Sequence, residues 1–150
     1  EAAEIACWCA AAGIPKLSVY EPTGVLKQHL TTTHRSITSA LRSYFGTARP
    51  SLRLHTAQSR GGEERGQGEQ GSLEVVVISA EDGRESIVDL TKTLCDMAQR
   101  GKITAEDVSV ELVDAELKEN VMDEPDLLVV FEGDLKLKGY PPWQIRLTEI

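Results

Sequence analysis

The sequence predicts an α/β fold with a mostly parallel central sheet flanked by helices. Three observations carry this. Two strand-like runs, Lys16–Tyr20 and Leu73–Ser79, are separated by stretches of helical periodicity. The second run, LEVVVIS, is nearly continuous in β-branched residues, as expected of a strand covered on both faces. Strands that alternate with helices need crossover connections, and these set successive strands parallel.

The elements follow in chain order. Glu1 to Ala12 has Ile5, Ala6, Trp8, Cys9 and Ala12 on one helical side, and Gly13 supplies the stop. Lys16–Tyr20 is a short strand, and Glu21-Pro-Thr-Gly24 breaks it. Ile37, Leu41 and Tyr44/Phe45 recur at helical spacing over Thr33–Phe45, and Gly46 ends that helix. The stretch from Thr47 to Ser72 includes RGGEERGQGEQG, which has no apolar residue to offset its ordering entropy. It reads as a disordered insertion over 47–72.

After the strand at Leu73–Ser79 a helix is predicted from about Arg84 to Arg100, with Ile87, Leu90, Leu94, Cys95, Met97 and Ala98 inward. Thr104 with Asp107 is an acidic variant of the capping pattern and opens a helix to about Glu119. Asp126–Phe131 reads as a further strand, and Pro142 and Trp143 open a final helix. The whole is expected to be a single domain over 1–150. The chain does not start with Met and stops on a helical pattern, so it is expected to be the core of a longer protein.

Composition excludes some classes. The hydrophobic fraction of 41% and charged fraction of 27% are ordinary for a globular chain. The net charge of -8 argues against a general nucleic-acid binder, and against adhesion of the chain as a whole to an anionic membrane. Three cysteines, Cys7, Cys9 and Cys95, make no disulfide framework and fit a reducing compartment. Cys7-Trp8-Cys9 lacks further metal ligands nearby and reads as small apolar residues on a buried helix. No apolar run reaches the roughly 18 residues of a membrane span, and no signal peptide is visible.

In open parallel sheets ligands bind beyond the carboxyl ends of the strands. The loops to inspect are therefore Glu21–Gly24, Ala80–Gly83 and 132–138. The first offers one carboxylate, Glu21. The second offers Glu81 and Asp82, which suit either a Mg2+ ion or the first turn of the next helix. The third carries Lys136 and Lys138, which attract a diphosphate as point charges without the fork of arginine. Neither GxGxxG on a strand–helix turn nor GxxxxGK[ST] occurs. His29, His34 and His55 form no catalytic or metal spacing and read as solvated.

Three blocks together resemble one family. They are WCAAAGIPKLSVYEPTGVLK (Trp8–Lys27), VISAEDGRESIVDLTKTLCDMAQRGKITAEDVSVELVDAEL (Val77–Leu117) and EPDLLVVFEGDLKLKGYPPWQIRLTEI (Glu124–Ile150). The third is the most specific, with PDLL-x-x-F followed by GYPPWQIRLTEI. The blocks are similar to the fungal Nogo-B receptor-type accessory subunits of dehydrodolichyl diphosphate synthase, within the cis-prenyltransferase family. That family condenses isopentenyl diphosphate onto an allylic diphosphate with Mg2+, on a parallel sheet flanked by helices, as a dimer. The resemblance implies the same fold and a pairing surface at the end of the third block, making Trp143, Arg146 and Glu149 interface candidates.

The departures from the family pattern point away from catalysis. Active members carry two arginines where Val130 and Lys136 fall here. They carry a polar Ser and Asn after the first strand, where Pro22 and Val25 stand. The family's N-terminal Asp motif has no counterpart, and Glu149 alone matches an acid that holds Mg2+. Lys136 and Lys138 remain as weak substrate-binding candidates, and Glu149, Glu81 and Asp82 as metal candidates. The accessory subunits end in an Arg-x-Gly tail that reaches the partner's active site, and this chain stops before such a tail.

The resemblance implies a non-catalytic regulatory subunit that forms a heterodimer with a catalytic cis-prenyltransferase, or a homodimer in isolation. The complex would make long polyprenyl diphosphates for dolichol and protein glycosylation. Mg2+ would be held by the partner. The implied place is the cytosolic face of the endoplasmic reticulum membrane, with an anchor outside this chain. The rival readings are a self-sufficient transferase using Lys136, Lys138, Glu81 and Asp82, and a scaffold or receptor module.

Overall fold

The structure is a computed structural model that describes residues 1–57, 71–131 and 136–145. It divides into two compact units, Glu1–Ile78 and Ser79–Ile150.

The first unit holds the sheet. Helix α1 spans Ala2–Ala11, strand β1 Lys16–Tyr20, helix α2 Val25–Gln28, helix α3 Leu30–Phe45, strand β2 Ser51–Thr56 and strand β3 Ser72–Ile78. The three strands are parallel in the order β1-β3-β2, with Leu17 opposite Val75 and Leu54 also opposite Val75. The β-branched run therefore takes the central place, where every backbone donor and acceptor has a ladder neighbour on both sides.

Period-2 alternation sorts the strands into two faces. Leu73 and Val75 on β3, with Leu17 and Val19 on β1 and Leu52 and Leu54 on β2, meet Ala6 and Cys7 of α1 and Ile37 and Leu41 of α3. Ile37, Leu41, Leu73 and Val75 are each at most 1% exposed, so each contributes about 1.5–3 kcal/mol by leaving water. The alternate positions are polar at one end. Lys16, Glu74 and His55 lie one on each strand. The Glu74 carboxylate stands 3.8 Å from Lys16 Nζ and 3.3 Å from His55 Nε2.

The second unit holds helix α4 at Arg84–Gln99 and helix α5 at Val110–Asn120, which pack on each other. A 3-10 turn at Ala80–Asp82 leads into α4. Another at Ala105–Asp107 precedes α5.

The predicted α/β class with a parallel sheet is observed. Several details differ. Ser51–Thr56, placed inside the disordered insertion, forms β2, because Leu52 and Leu54 reach the core between polar neighbours. Elsewhere in that expectation, Gly46–Ala48 forms a 3-10 turn and Ser72 opens β3, while 58–70 lies outside the described residues. His55 is accordingly half-buried on a strand and paired with Glu74, not solvated.

Among the described residues Asp126–Phe131 makes no ladder beyond a single bridge residue at Leu127. Leu127, Val129 and Phe131 are 62%, 59% and 73% exposed, so alternation without a pairing neighbour does not make a strand. The helix expected from Thr104 is broken. Thr104 caps only a 3-10 turn, and Ser109 caps α5 by accepting the Leu112 N–H at 3.2 Å.

On α4 the stripe is narrower than predicted, with Cys95 and Ala98 exposed. On α1 Trp8 is 59% exposed, and Cys7 is the buried cysteine. The final helix is described only as a 3-10 turn at Trp143–Ile145.

Candidate functional site

The loop after β1 is closed on itself. Glu21 accepts from the Thr23 hydroxyl at 2.6 Å, the Thr23 N–H at 2.9 Å and the Val25 N–H at 2.8 Å. The Thr23 hydroxyl, followed by these backbone donors, holds the carboxyl below its ordinary range. Gly24, at φ 75°, lets the chain turn into α2 with the carboxylate over the first helical N–H groups. Pro22 and Val25, at the positions where the resemblance placed polar ligands, bring none. Pro22 has no N–H, and the Val25 N–H is spent on Glu21.

The loop after β3 is closed in the same manner. Asp82 Oδ2 accepts the Ser79 N–H at 2.8 Å, and the Asp82 N–H donates to the Ser79 carbonyl at 3.1 Å. Asp82 is 3% exposed, and Glu81 is exposed. The Ser86 hydroxyl donates to the carbonyls of Asp82 and Gly83 at 3.0 and 2.7 Å. Of the two readings of Glu81 and Asp82, the geometry gives Asp82 to capping.

Gly83 is needed for space. A Cβ there would collide with the carbonyl oxygen of Gly139. Gly139 belongs to a turn with left-handed φ at Lys138 (44°) and Gly139 (92°), closed by the Tyr140 N–H donating to the Leu137 carbonyl at 2.7 Å. Lys136 and Lys138 are exposed on this turn, and Val130 upstream is half-buried.

The next residues dock on the end of α5. Tyr140, Pro141 and Gln144 are buried with Leu117, Val121 and Met122. The Trp143 indole N–H donates to Asp114 Oδ1 at 3.0 Å, while Asp114 Oδ2 pairs with Lys118 at 2.8 Å. The Gln144 amide donates to the Leu117 carbonyl at 3.3 Å. Trp143 is half-buried in its own unit. Arg146 and Glu149 lie outside the described residues.

Sequence reasoning missed the Gly83–Gly139 approach and the Trp143–Asp114 bond. A buried Trp calls for a partner for its N–H, which was the signal available for the second.

Among the described residues no three His, Cys, Asp or Glu side chains come together as a metal site. Both oxygens of Glu21 and one oxygen of Asp82 accept N–H or O–H groups within their own loops.

No family model matches the chain. It is 41% identical over 150 residues to "dehydrodolichyl diphosphate synthase complex subunit nus1" of Schizosaccharomyces pombe, covering all of this chain and 57% of that protein. The chain is similar to these complex subunits along its whole length. It is 37% identical over 167 residues to the complex subunit of Saccharomyces cerevisiae, covering 99% of this chain and 44% of that protein. The chain thus spans about half the length of these curated relatives. It is also 30% identical to cis-prenyltransferase 7, chloroplastic, of Solanum lycopersicum over 80 residues, which is 52% of this chain. The resemblance stated from the three sequence blocks is upheld, and with it the cis-prenyltransferase-like fold.

Proposed function

We propose that this chain is the core of a non-catalytic regulatory subunit that pairs with a catalytic cis-prenyltransferase in a dehydrodolichyl diphosphate synthase complex. The complex makes long polyprenyl diphosphates for dolichol and protein glycosylation. The carrying observation is that both described strand-end loops turn polar groups inward. Glu21 takes up the N–H groups of its own loop, and the Ser79–Asp82 pair closes the other. A phosphate site needs such donors aimed outward. The similarity to complex subunits along this chain supports the same reading.

In this reading Mg2+ and diphosphate are held by the partner's residues. Lys136 and Lys138 supply no more than local positive charge to an entering diphosphate. Trp143, Arg146 and Glu149 contribute to the pairing surface. The complex works at the cytosolic face of the endoplasmic reticulum membrane. No helix among the described residues is long and apolar enough to cross a membrane.

The test follows radiolabelled isopentenyl diphosphate into polyprenol with the full-length gene product, alone and with a catalytic partner. The expected result is no incorporation alone and strong stimulation of the partner. Incorporation by the chain alone would make it a self-sufficient transferase and overturn the proposal. Failure to stimulate or co-purify with any catalytic partner would leave a scaffold module instead.

A further inference from the structure

The chain as a whole is acidic, but one stretch is not. From Pro22 to Thr56 it carries Lys27, Arg35, Arg42, Arg49 and Arg53 and no Asp or Glu. Three of these arginines gather around α3. Arg35 and Arg42 are seven residues apart, two helical turns, and share one exposed face. Thr31 and Ser39 stand with them along a shallow trough. Arg49 lies in the adjoining groove, which shares His34 and Thr38 with the trough. Arg35, Arg42 and Arg49 are exposed, and among the described residues none has an ion-pair partner.

Such a face is well solvated as it stands, and it offers charge-assisted hydrogen bonds to an anion. Buried against the sheet, α3 already uses Ile37 and Leu41. Its outer face is free to serve something else. The net charge of -8 does not cancel the local field, because charges beyond a Debye length of about 8 Å are screened at physiological salt.

The spacing selects the partner. Two turns of helix separate Arg35 from Arg42 by about 10 Å along the axis. A single phosphate would have to draw two long side chains together at a cost in rotamer freedom, whereas separate phosphates would not. The trough is too open to enclose a single ligand. An array of separate phosphates, as on the surface of an anionic bilayer, matches both features. Hydroxyls beside the guanidiniums add donors for phosphate oxygens.

We propose that the outer face of α3, through Arg35, Arg42 and Arg49, docks the protein on the phosphate headgroups of an anionic membrane. This contact is peripheral and needs no membrane-spanning segment. It is independent of the subunit reading, since a chain that fails to stimulate a partner can still bind lipid.

The experiment is co-sedimentation of the full chain with vesicles of phosphatidylcholine alone and of phosphatidylcholine doped with phosphatidylserine. Binding is expected only to the doped vesicles and falls with added salt. Each arginine near an anionic surface is worth about a fivefold change in partitioning, so Arg35→Gln/Arg42→Gln/Arg49→Gln together should weaken binding on the order of a hundredfold. The three-lysine variant retains binding, because an array of phosphates needs charge more than fork geometry. Lys92→Gln, on an exposed face of α4, leaves it unchanged. Circular dichroism melts confirm that the variants fold, as expected for exposed positions.

Equal binding to neutral vesicles overturns the proposal, as does full binding by the triple glutamine variant. Loss of binding in the lysine variant, or full competition by free pyrophosphate, would point to a discrete anion pocket instead. Equally tight, arginine-dependent binding to polyglutamate would mark an acidic protein as the partner and overturn the membrane assignment.

Discussion

Gly83 and Trp143 each do something at a distance that neighbouring residues do not reveal. Gly83 lets the turn after β3 lie against the Gly139 carbonyl, and any side chain must displace that backbone. Gly83→Ala is expected to cost about 1–3 kcal/mol, read as a lower urea midpoint at unchanged slope. An unaltered midpoint would mean the turn at 138–139 moves aside freely. Trp143 donates to a carboxylate that also holds Lys118. Trp143→Phe keeps most of the ring and removes the N–H, which should cost about 1–3 kcal/mol. In a double-mutant cycle with Asp114→Ala, which removes the acceptor, the two losses should not add. Additive losses would show that the bond contributes nothing. The sequence pointed to Trp143 as an interface residue. The structure gives it an internal task first, so a fall in partner binding on mutation must be compared with the fall in stability.

Among the elements, the strand-end loops show how the same residue types are turned from ligands into caps. Glu21 is held below the ordinary carboxylate range by the Thr23 hydroxyl and by backbone N–H groups. Its stabilising effect is therefore fully present above the ordinary carboxylate pKa. It is lost as pH falls through the lowered value, because the protonated form accepts those bonds poorly. Urea midpoints of the wild type measured from about pH 6 to about pH 3 should fall more steeply than those of Glu21→Gln. Parallel acid limbs would show that the cap does not stabilise α2.

The elements also mark where sequence patterns carry information. β1 matches its predicted bounds, and β3 and α4 lie within a residue of theirs, because their periods are local and long enough to read. β2 had an equally plain alternation in Ser-Leu-Arg-Leu-His-Thr, but the polar run beyond it dominated the composition of that stretch. The segment Asp126–Phe131 shows the reverse case. Its alternation is clear, yet a strand is defined by a neighbour, and among the described residues it has only one bridge.

For the whole molecule, the core of the first unit sets how much of any functional effect is really a folding effect. Leu41 is fully buried between α1, α3 and the sheet. Leu41→Ala leaves a cavity and is expected to cost about 2–5 kcal/mol. Partner stimulation by this variant should track its folded fraction, and low temperature should restore it. The triple arginine variant at α3 should differ, keeping its melt and losing only the membrane contact. A Leu41→Ala protein of unchanged midpoint would mean that α3 is not held by this core.

What the sequence determined by itself was the parallel α/β plan, the β-branched run of its clearest strand and the kinship of the three blocks. All of these depend on residue type and local period, which need no fold to be read. The tertiary structure alone decided that β2 completes the sheet, that Glu74 joins Lys16 to His55, that Gly83 must stay small, and that Trp143 is tied to Asp114 across 29 residues. It also set Arg49 in a groove adjoining the trough that Arg35 and Arg42 line. Each of these is a meeting of groups distant in sequence. A meeting depends on where packing sends the chain, and hydrophobic period constrains only which face turns inward.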